Sequence, residues 1–246
     1  MGSADWTEMT DGLDVNAVDR GVTTGLPRPN GGGNFVFGFN SLVVAEGAVA
    51  YFNNQSGFAP TAANKGGRVT GAIKRVPSSG ATGFAPFFYV IAQGTSVNDS
   101  AYILGLQDDS PYRIALRKGK LVEGVPLALP GASGILRRST STFSPDTWHH
   151  LRLDVVVNTN GDVILQAFSS DLNAHAVTSP TWTAIPGIED STLVATFGAG
   201  TAFIDDSLGI NSGSPPFTSG RNGFGFYTKD VSRRGAFDQI ESIRQS

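Results

Sequence analysis

The stretch that decides the fold is TWHHLRLDVVVNTNGDVILQAF, residues 147–168. Residues of two kinds alternate along its first half, with Leu151, Leu153, Val155 and Val157 on one side and His150, Arg152, Asp154 and Val156 on the other. This period of two predicts a strand with one face on a hydrophobic core. A polar loop follows, whose Asn160-Gly161 pair supplies a positive φ at low steric cost, and residues 163–168 are apolar again. The stretch therefore predicts a long β-hairpin, which belongs in a large antiparallel sheet covered by a second layer.

Length and composition favour one large all-β domain. The chain has 246 residues, 31 Gly, 13 Pro and only 16% charged residues, which is typical of many turns and few surface helices. Its 16 Phe supply ample apolar material for a core between two sheets. We predict a single jelly-roll β-sandwich domain over residues 34–246, preceded by an N-terminal extended arm over residues 1–33.

The rest of the chain reads as a series of strands and loops. Strands are predicted at 34–39, 49–53, 67–76, 85–93, 102–106, 112–118, 134–138, 193–197, 223–228 and 235–243. The stretch 85–93 is apolar on both faces, which indicates a central strand covered on both sides or a strand at an interface. Residues 199–220, rich in Gly, Ser, Pro and Asp, predict a long loop that carries function or contacts a partner.

Residues 1–33 contain few apolar residues in any period and many turn formers, including Gly31-Gly32-Gly33. Two interpretations remain open for this arm. It forms surface loops, or it becomes ordered on a neighbouring subunit that supplies the core contacts it lacks.

Several function classes are excluded or disfavoured by composition. The formal net charge of −3 and the lack of any basic run longer than two residues give no footprint for nucleic acid or for an anionic membrane. The chain has no Cys, which excludes disulfides, a thiolate nucleophile and thiolate metal sites. We expect no signal peptide, because the N-terminus lacks a basic n-region and an apolar h-region. We expect no transmembrane segment, because no apolar stretch approaches the roughly 18 residues needed.

The order of the strands resembles the concanavalin A-like lectin/glucanase jelly-roll superfamily, which includes laminin-G-like domains. In that superfamily a Trp opens a long strand, a Gly-turn hairpin follows, and an aromatic-Gly-aromatic run precedes Phe-Asp near the end. The corresponding residues here are Trp148, Asn160-Gly161, the run GFGF at 223–226 and Phe237-Asp238. The resemblance covers about residues 34 to 244 and implies an all-β, two-sheet antiparallel sandwich. It does not choose between sugar binding, hydrolysis and a structural role.

In its composition and in the order of its segments the chain also resembles virion structural proteins of tailed bacteriophages. Those proteins are likewise free of cysteine, lack a signal peptide, and open with a short polar arm before a jelly roll. The resemblance implies a subunit of the tail, or a decoration of the capsid or tail, that is assembled in the host cytoplasm and located in the virion. Its partners would be copies of itself and other virion proteins, contacted through the arm and the loop at 199–220.

Glycoside hydrolysis is disfavoured by the positions of the carboxylates. Glucanases of the resembled superfamily place Glu-x-Asp-x-Glu on one strand, so that alternate residues flank the scissile bond. No Glu here has a second Glu four residues away; they stand at Glu8, Glu46, Glu123, Glu189 and Glu241. The pairs Asp108-Asp109 and Asp205-Asp206 are adjacent, so their side chains diverge if they lie in strands. We therefore predict a protein that is not an enzyme.

A calcium site is the only cofactor that the sequence leaves open. Asp205, Asp206 and Asp238 are candidate ligands, because calcium prefers oxygen-rich loops and relatives of this fold often bind it near strand ends. The alternative is that these residues make turns and cap loops. The adjacent His149 and His150 point to opposite faces of a strand and cannot chelate one metal from it.

A glycan-binding face is the candidate binding site. His150, Arg152 and Asp154 share one face of the long strand, Gln166 lies on the neighbouring strand, and Tyr227 is a candidate aromatic. The alternative is an ordinary solvated sheet face. The leading functional hypothesis is a non-enzymatic phage virion protein, and the second is a carbohydrate-binding module for cell-surface glycans.

Overall fold

The structure is a computed structural model. It describes residues 6–8, 18–23, 36–41, 47–53, 65–76, 84–93, 99–107, 111–121, 134–144, 147–170, 180–188, 202–210, 212–228 and 234–245. Within these ranges the regular structure is entirely β, which confirms the predicted fold class.

Fifteen strands lie in the described ranges. They are β1 (Trp6–Glu8), β2 (Val18–Thr23), β3 (Val36–Ser41), β4 (Gly47–Asn53), β5 (Lys65–Val76), β6 (Phe84–Ala92), β7 (Ser100–Gln107), β8 (Arg113–Lys120), β9 (Ile135–Thr142), β10 (Trp148–Val157), β11 (Val163–Ser170), β12 (Thr183–Ala184), β13 (Ala202–Asp205), β14 (Arg221–Thr228) and β15 (Arg234–Gln245).

The strands form two antiparallel sheets. The seven-stranded sheet has the order β1-β4-β14-β6-β7-β8-β9. The eight-stranded sheet has the order β12-β11-β10-β5-β15-β3-β2, and β13 also pairs with β11. Because strands distant in sequence are neighbours in both sheets, the fold depends on long-range pairing and not on local hairpins alone.

The main core lies between the two sheets. From the eight-stranded sheet it receives the predicted apolar face of β10, and Leu151, Leu153 and Val155 are all completely buried. The ring of Phe237 on β15 meets two rings of the opposite sheet, with centroid distances of 6.0 Å to Phe88 and 4.8 Å to Phe224. Tilted aromatic pairs of this kind contribute about 0.5–1.5 kcal/mol beyond the burial of their area.

Strand β6 is buried on both of its faces. Phe88 and Val90 belong to the main core, whereas Phe87 and Tyr89 belong to a second buried cluster on the other side of the seven-stranded sheet. All four side chains are at most 1% exposed within the single chain. This confirms the prediction of a central strand covered on both sides, and the cover comes from the protein itself.

The central hairpin turns at the predicted place. Gly161 has a φ of 83°, the left-handed conformation expected of the Asn-Gly pair. The Asn158 side chain holds the loop, because its Oδ1 accepts hydrogen bonds from the backbone N–H groups of Asn160 and Asp162, each at 2.9 Å. Beyond the loop, β10 and β11 pair without interruption from Val157 opposite Val163 to His150 opposite Ser170.

Two predictions about loops need correction. Residues 1–33 contain β1 and β2, which pair with β4 and β3 of the same chain, so these segments are edge strands and not loops. The predicted loop at 199–220 contains β13, whose four residues are all buried and which extends the pairing of β11. In both places a short run in a polar segment becomes a strand because a neighbouring strand offers it unpaired backbone groups. The strand predicted at 193–197 lies outside the described residues.

The pairing between β6 and β14 contains a β-bulge. Ile91 has a φ of 56°, which is unusual for a β-branched residue, and its side chain is completely buried. Its backbone N–H donates a buried hydrogen bond of 3.0 Å to Oδ1 of Asn222, where the register between the two strands shifts. The side chain of Asn222 thus accepts a hydrogen bond from the N–H group of Ile91, which the irregular backbone leaves without a backbone partner in the neighbouring strand.

Candidate functional site

The candidate site lies on the outward face of the eight-stranded sheet. Its polar residues are cross-strand neighbours, because side chains of paired residues stand side by side on one face. Along β10 the pairs are His150 with Ser170, Arg152 with Phe168 and Thr70, and Asp154 with Gln166 and Arg68. The regular register of β5, β10 and β11 therefore assembles residues that are far apart in sequence.

The carboxylate of Asp154 is shared by two arginines. Arg68 donates from Nε at 2.8 Å and from Nη2 at 3.0 Å. Arg152 donates from Nη2 at 2.6 Å and from Nε at 2.9 Å. The hydrogen bonds to Asp154 raise the pKa of Arg68 above its ordinary value, and partial burial opposes this rise. The side chains of Arg68 and Arg152 remain 26% and 16% exposed, so both are partly accessible to solvent.

Two aromatic rings pack against Arg152. The Cζ atom of Arg152 lies 4.4 Å from the ring centroid of Phe168 and 5.4 Å from that of Trp182. Trp182 also packs against His150, with 4.5 Å between the ring centroids. His150 is itself almost buried, and its Nδ1 lies 2.5 Å from Oγ of Ser170. We call Arg68, His150, Arg152, Asp154 and Trp182 the outer-face cluster.

Four of the five predicted glycan-face residues share this face. His150, Arg152 and Asp154 belong to the outer-face cluster, and Gln166 stands beside Asp154 on β11. Tyr227 does not join them, because it lies on β14 in the seven-stranded sheet. The placement of Tyr227 on the common face is therefore wrong: alternation reveals which face of a strand is polar, but not to which sheet a distant strand belongs.

The three predicted calcium ligands are not brought together. Asp205 is completely buried, and its carboxylate accepts hydrogen bonds from Lys118, Tyr102 and Ser212. The adjacent Asp206 caps a turn, with its Oδ1 accepting from the N–H groups of Leu208 and Ile210. Asp238 lies on β15, four strand spacings from β13, which is roughly 19 Å at about 4.8 Å per spacing.

Within the described residues, no group of three or more His, Asp and Glu side chains converges on a possible metal position. For Asp205 and Asp206 the interpretation as structural and turn-forming residues is the one that the contacts favour. The adjacent pair Asp108-Asp109 lies outside the described residues.

The sequence analysis missed three important side chains. Arg68 and Trp182 complete the outer-face cluster, and Lys118 binds Asp205. Arg68 belongs to the strand predicted at 67–76, but its pairing with Asp154 depends on the contact between β5 and β10. Trp182 lies in a segment without periodicity, where only its type, a large amphipathic aromatic, indicated a contact surface.

Comparison with known proteins gives structural relatives only. No protein-family model matches the chain, and no curated protein matches it either. Among solved structures, one similar chain is the cellulose-induced protein Cip1, with a TM-score of 0.51 and 11% identity over 99% of this chain and 93% of that one. Another is the carbohydrate recognition domain of Emp46p in a potassium-bound form, with a TM-score of 0.51 and 9% identity over 97% of this chain and 88% of that one.

The chain has a lectin-like jelly-roll fold of the concanavalin A type. This confirms the two-sheet jelly-roll fold that the resemblance implied. At such low sequence identity the similarity establishes only the fold, so the function has to be inferred from the candidate site. In the described part of the chain, no helix is long and apolar enough to span a membrane.

Proposed function

We propose that this protein is a non-enzymatic carbohydrate-binding protein and that the outer-face cluster is its binding site. The observation that carries the proposal is the contact of a partly exposed Trp182 ring with His150 and Arg152, directly beside the Asp154 carboxylate. The shared fold with a carbohydrate recognition domain and with Cip1 is in keeping with this proposal.

The chemistry of the cluster suits a sugar. A pyranose ring has an apolar face, which stacks on an aromatic side chain, and a rim of hydroxyl groups, which both donate and accept hydrogen bonds. Trp182 supplies the aromatic surface, and the partly exposed Arg68 and Arg152 supply N–H donors that the Asp154 carboxylate holds in place.

The cluster is also rigid before any ligand arrives. Arg152 is held by charged hydrogen bonds to the single carboxylate of Asp154 on one side and by two aromatic rings on the other. Little side-chain entropy is therefore lost on binding, which favours affinity for a small polar ligand.

A glycan array followed by titration calorimetry tests this function. We expect binding of at least one glycan by the wild-type protein and binding at least about tenfold weaker in Trp182→Ala and in Arg152→Ala. Thr181→Ala is the matched control, because Thr181 is exposed in the same segment but has no ring. Absence of binding across the array, or equal loss in the control, would contradict the proposal.

A second candidate function is a structural subunit of a phage virion. The specific observation in its favour is the exposure of Leu208 and Ile210, at 78% and 76%, within the segment predicted to contact partners. The arm offers less support than expected, because β1 and β2 are already paired with strands of their own chain. This proposal therefore depends on contacts made by Leu208 and Ile210 with a second copy of the chain.

Light scattering across concentration tests the structural role. We expect a defined oligomer for the wild-type chain and a smaller species for the double variant Leu208→Ser/Ile210→Ser. Substitution of the exposed Ser141 by Ala, on β9 of the seven-stranded sheet, is the control. A wild-type chain that remains monomeric throughout the micromolar range counts against this function and leaves the carbohydrate proposal untouched.

A further inference from the structure

A buried cation lies at one end of the sandwich, away from the outer-face cluster. Lys118 on β8 and Asp205 on β13 are both completely buried, and Nζ of Lys118 lies 2.7 Å from Oδ2 of Asp205. The two strands belong to different sheets, so this ion pair ties the sheets together.

The ammonium group is surrounded by oxygen atoms. Besides Asp205, its Nζ contacts Oγ of Ser212 at 2.9 Å, the carbonyl oxygen of Ser214 at 2.7 Å and the carbonyl oxygen of Pro215 at 2.8 Å. An ammonium group has three N–H donors, yet four acceptors surround it within 2.9 Å. A carboxylate, a hydroxyl and two carbonyls are the ligand types with which proteins bind hard cations.

Other groups around Nζ also favour a positive charge. It lies 4.9 Å from the ring centroid of Phe217 and 5.7 Å from that of Tyr102, within the range of cation–π attraction. The Tyr102 hydroxyl donates to Asp205 and accepts from the backbone N–H of Phe217, so it orients the carboxylate. Among the residues that the structure describes, the buried Oγ of Ser214 has no hydrogen-bond partner, which adds an uncommitted oxygen to this region.

We propose that these oxygens form a cation site that the chain fills with its own lysine, and that a free potassium or ammonium ion takes the place of Nζ when the side chain is shortened. The site selects ions close in size to an ammonium group, which includes potassium. In the wild-type protein the tethered ammonium holds the segment 205–217 in place without a bound metal. This explains why Asp205 carries the oxygen chemistry of a metal ligand without converging with Asp206 and Asp238.

Burial lowers the pKa of Lys118 below its ordinary value, and the contact with Asp205 opposes that effect. The direction agrees with the geometry, since removing an ammonium group from water is costly unless other charges and dipoles replace the solvent.

Thermal unfolding of Lys118→Ala in different chloride salts of equal ionic strength tests the proposal. We expect a lower melting temperature than in the wild type and a saturable recovery of several degrees in potassium or ammonium chloride, but not in tetramethylammonium chloride. Lys118→Met is the matched control, because its side chain removes the charge yet still fills the site, and we expect no ion-specific recovery. The wild-type protein should also show none.

A second variant connects the recovery to the oxygen cage. In Lys118→Ala/Asp205→Asn the ion loses its only charged ligand, so the potassium-specific recovery should disappear. A response of Lys118→Ala that is equal in all three salts, or a failure of that variant to fold in every one of them, would overturn the proposal. Loss of glycan binding in the other experiments has no bearing on this outcome.

Discussion

Two aspartates in this molecule are each bound by cationic side chains, and their surroundings differ. Asp154 lies on the outward face of the eight-stranded sheet between two arginines that reach solvent. Asp205 lies between the sheets and binds a lysine that solvent does not reach. The same charge pairing therefore has different energetic consequences: near the surface solvent can replace part of the ion pair, and in the interior each charge depends on its partner.

The largest expected effect is at the buried aspartate. Asp205→Asn keeps the shape of the side chain but leaves the Lys118 ammonium buried without a counter-charge, so we expect the free energy of unfolding to fall by about 3–5 kcal/mol. Urea denaturation measures this loss. The double variant Lys118→Met/Asp205→Leu should recover most of it, because no buried charge remains; a double variant as unstable as the single one would argue against the electrostatic cause.

An intermediate loss of stability is expected when the buried, uncharged hydrogen bond between Asn222 and Ile91 is removed. Asn222→Ala leaves the backbone N–H of Ile91 without its side-chain acceptor, in a strand that already carries an unfavourable φ. We expect a loss of about 1–3 kcal/mol in the free energy of unfolding. Asn222→Asp, which retains an acceptor oxygen, helps to separate the hydrogen bond from packing. If Asn222→Ala were as costly as Asp205→Asn, charge would not be what distinguishes the buried aspartate.

The third prediction concerns the pH dependence of stability through His149 on β10, the strand that carries most of the outer-face cluster. His149 neighbours His150 on β10, and burial lowers its pKa below the ordinary value of 6.5, while a hydrogen bond to the carbonyl of Ser144 opposes this. Below pH 6.5 the unfolded chain then binds more protons than the folded one, so the free energy of unfolding should decrease as the pH decreases. For this group the decrease is at most about 1.4 kcal/mol per pH unit.

Unfolding by urea at pH 7.5 and pH 5.5 measures this dependence. His149→Gln should show a smaller fall between the two pH values than the wild type, because Gln has no proton to gain in this range. Equal falls in both proteins would show that other groups cause the acid sensitivity.

The smallest expected effect on stability is at Asp154, the aspartate whose two arginine partners are partly exposed to solvent. Asp154→Asn should lower the free energy of unfolding by only about 1 kcal/mol, because Arg68 and Arg152 can be hydrated when the carboxylate charge is removed. The difference from wild type should shrink in 1 M salt, where the Debye length is about 3 Å. A loss as large as that of Asp205→Asn, and insensitive to salt, would show that the two clusters do not differ as we infer.

Some features of this protein follow from the sequence alone because their causes are local. The alternation along residues 150–157 predicts which side of β10 is buried, since neighbouring side chains of a strand must point to opposite faces. Asn160-Gly161 predicts the turn, because Gly adopts a positive φ without steric cost. The doubly apolar run around Phe87 and Tyr89 likewise predicts a strand covered on both sides, and the buried cluster confirms it.

Other features depend on which strands become neighbours, and no local pattern contains that information. The meeting of Arg68 with Asp154 requires β5 to lie beside β10, and the separation of Tyr227 from that face requires β14 to enter the other sheet. The pairing of β1, β2 and β13 depends on unpaired edges offered by strands remote in sequence.

The clearest case is the contact of Lys118 with Asp205, two residues 87 positions apart. From sequence, Asp205 is a candidate oxygen ligand in a polar loop, and Lys118 is the last residue of the strand predicted at 112–118. The tertiary structure buries both, because β8 and β13 come from opposite sheets and Ser212, Ser214, Pro215 and Phe217 contact the ammonium group. The sequence determines the types of group available and the faces of the strands; the packing of one sheet on the other decides which charges meet and whether water reaches them.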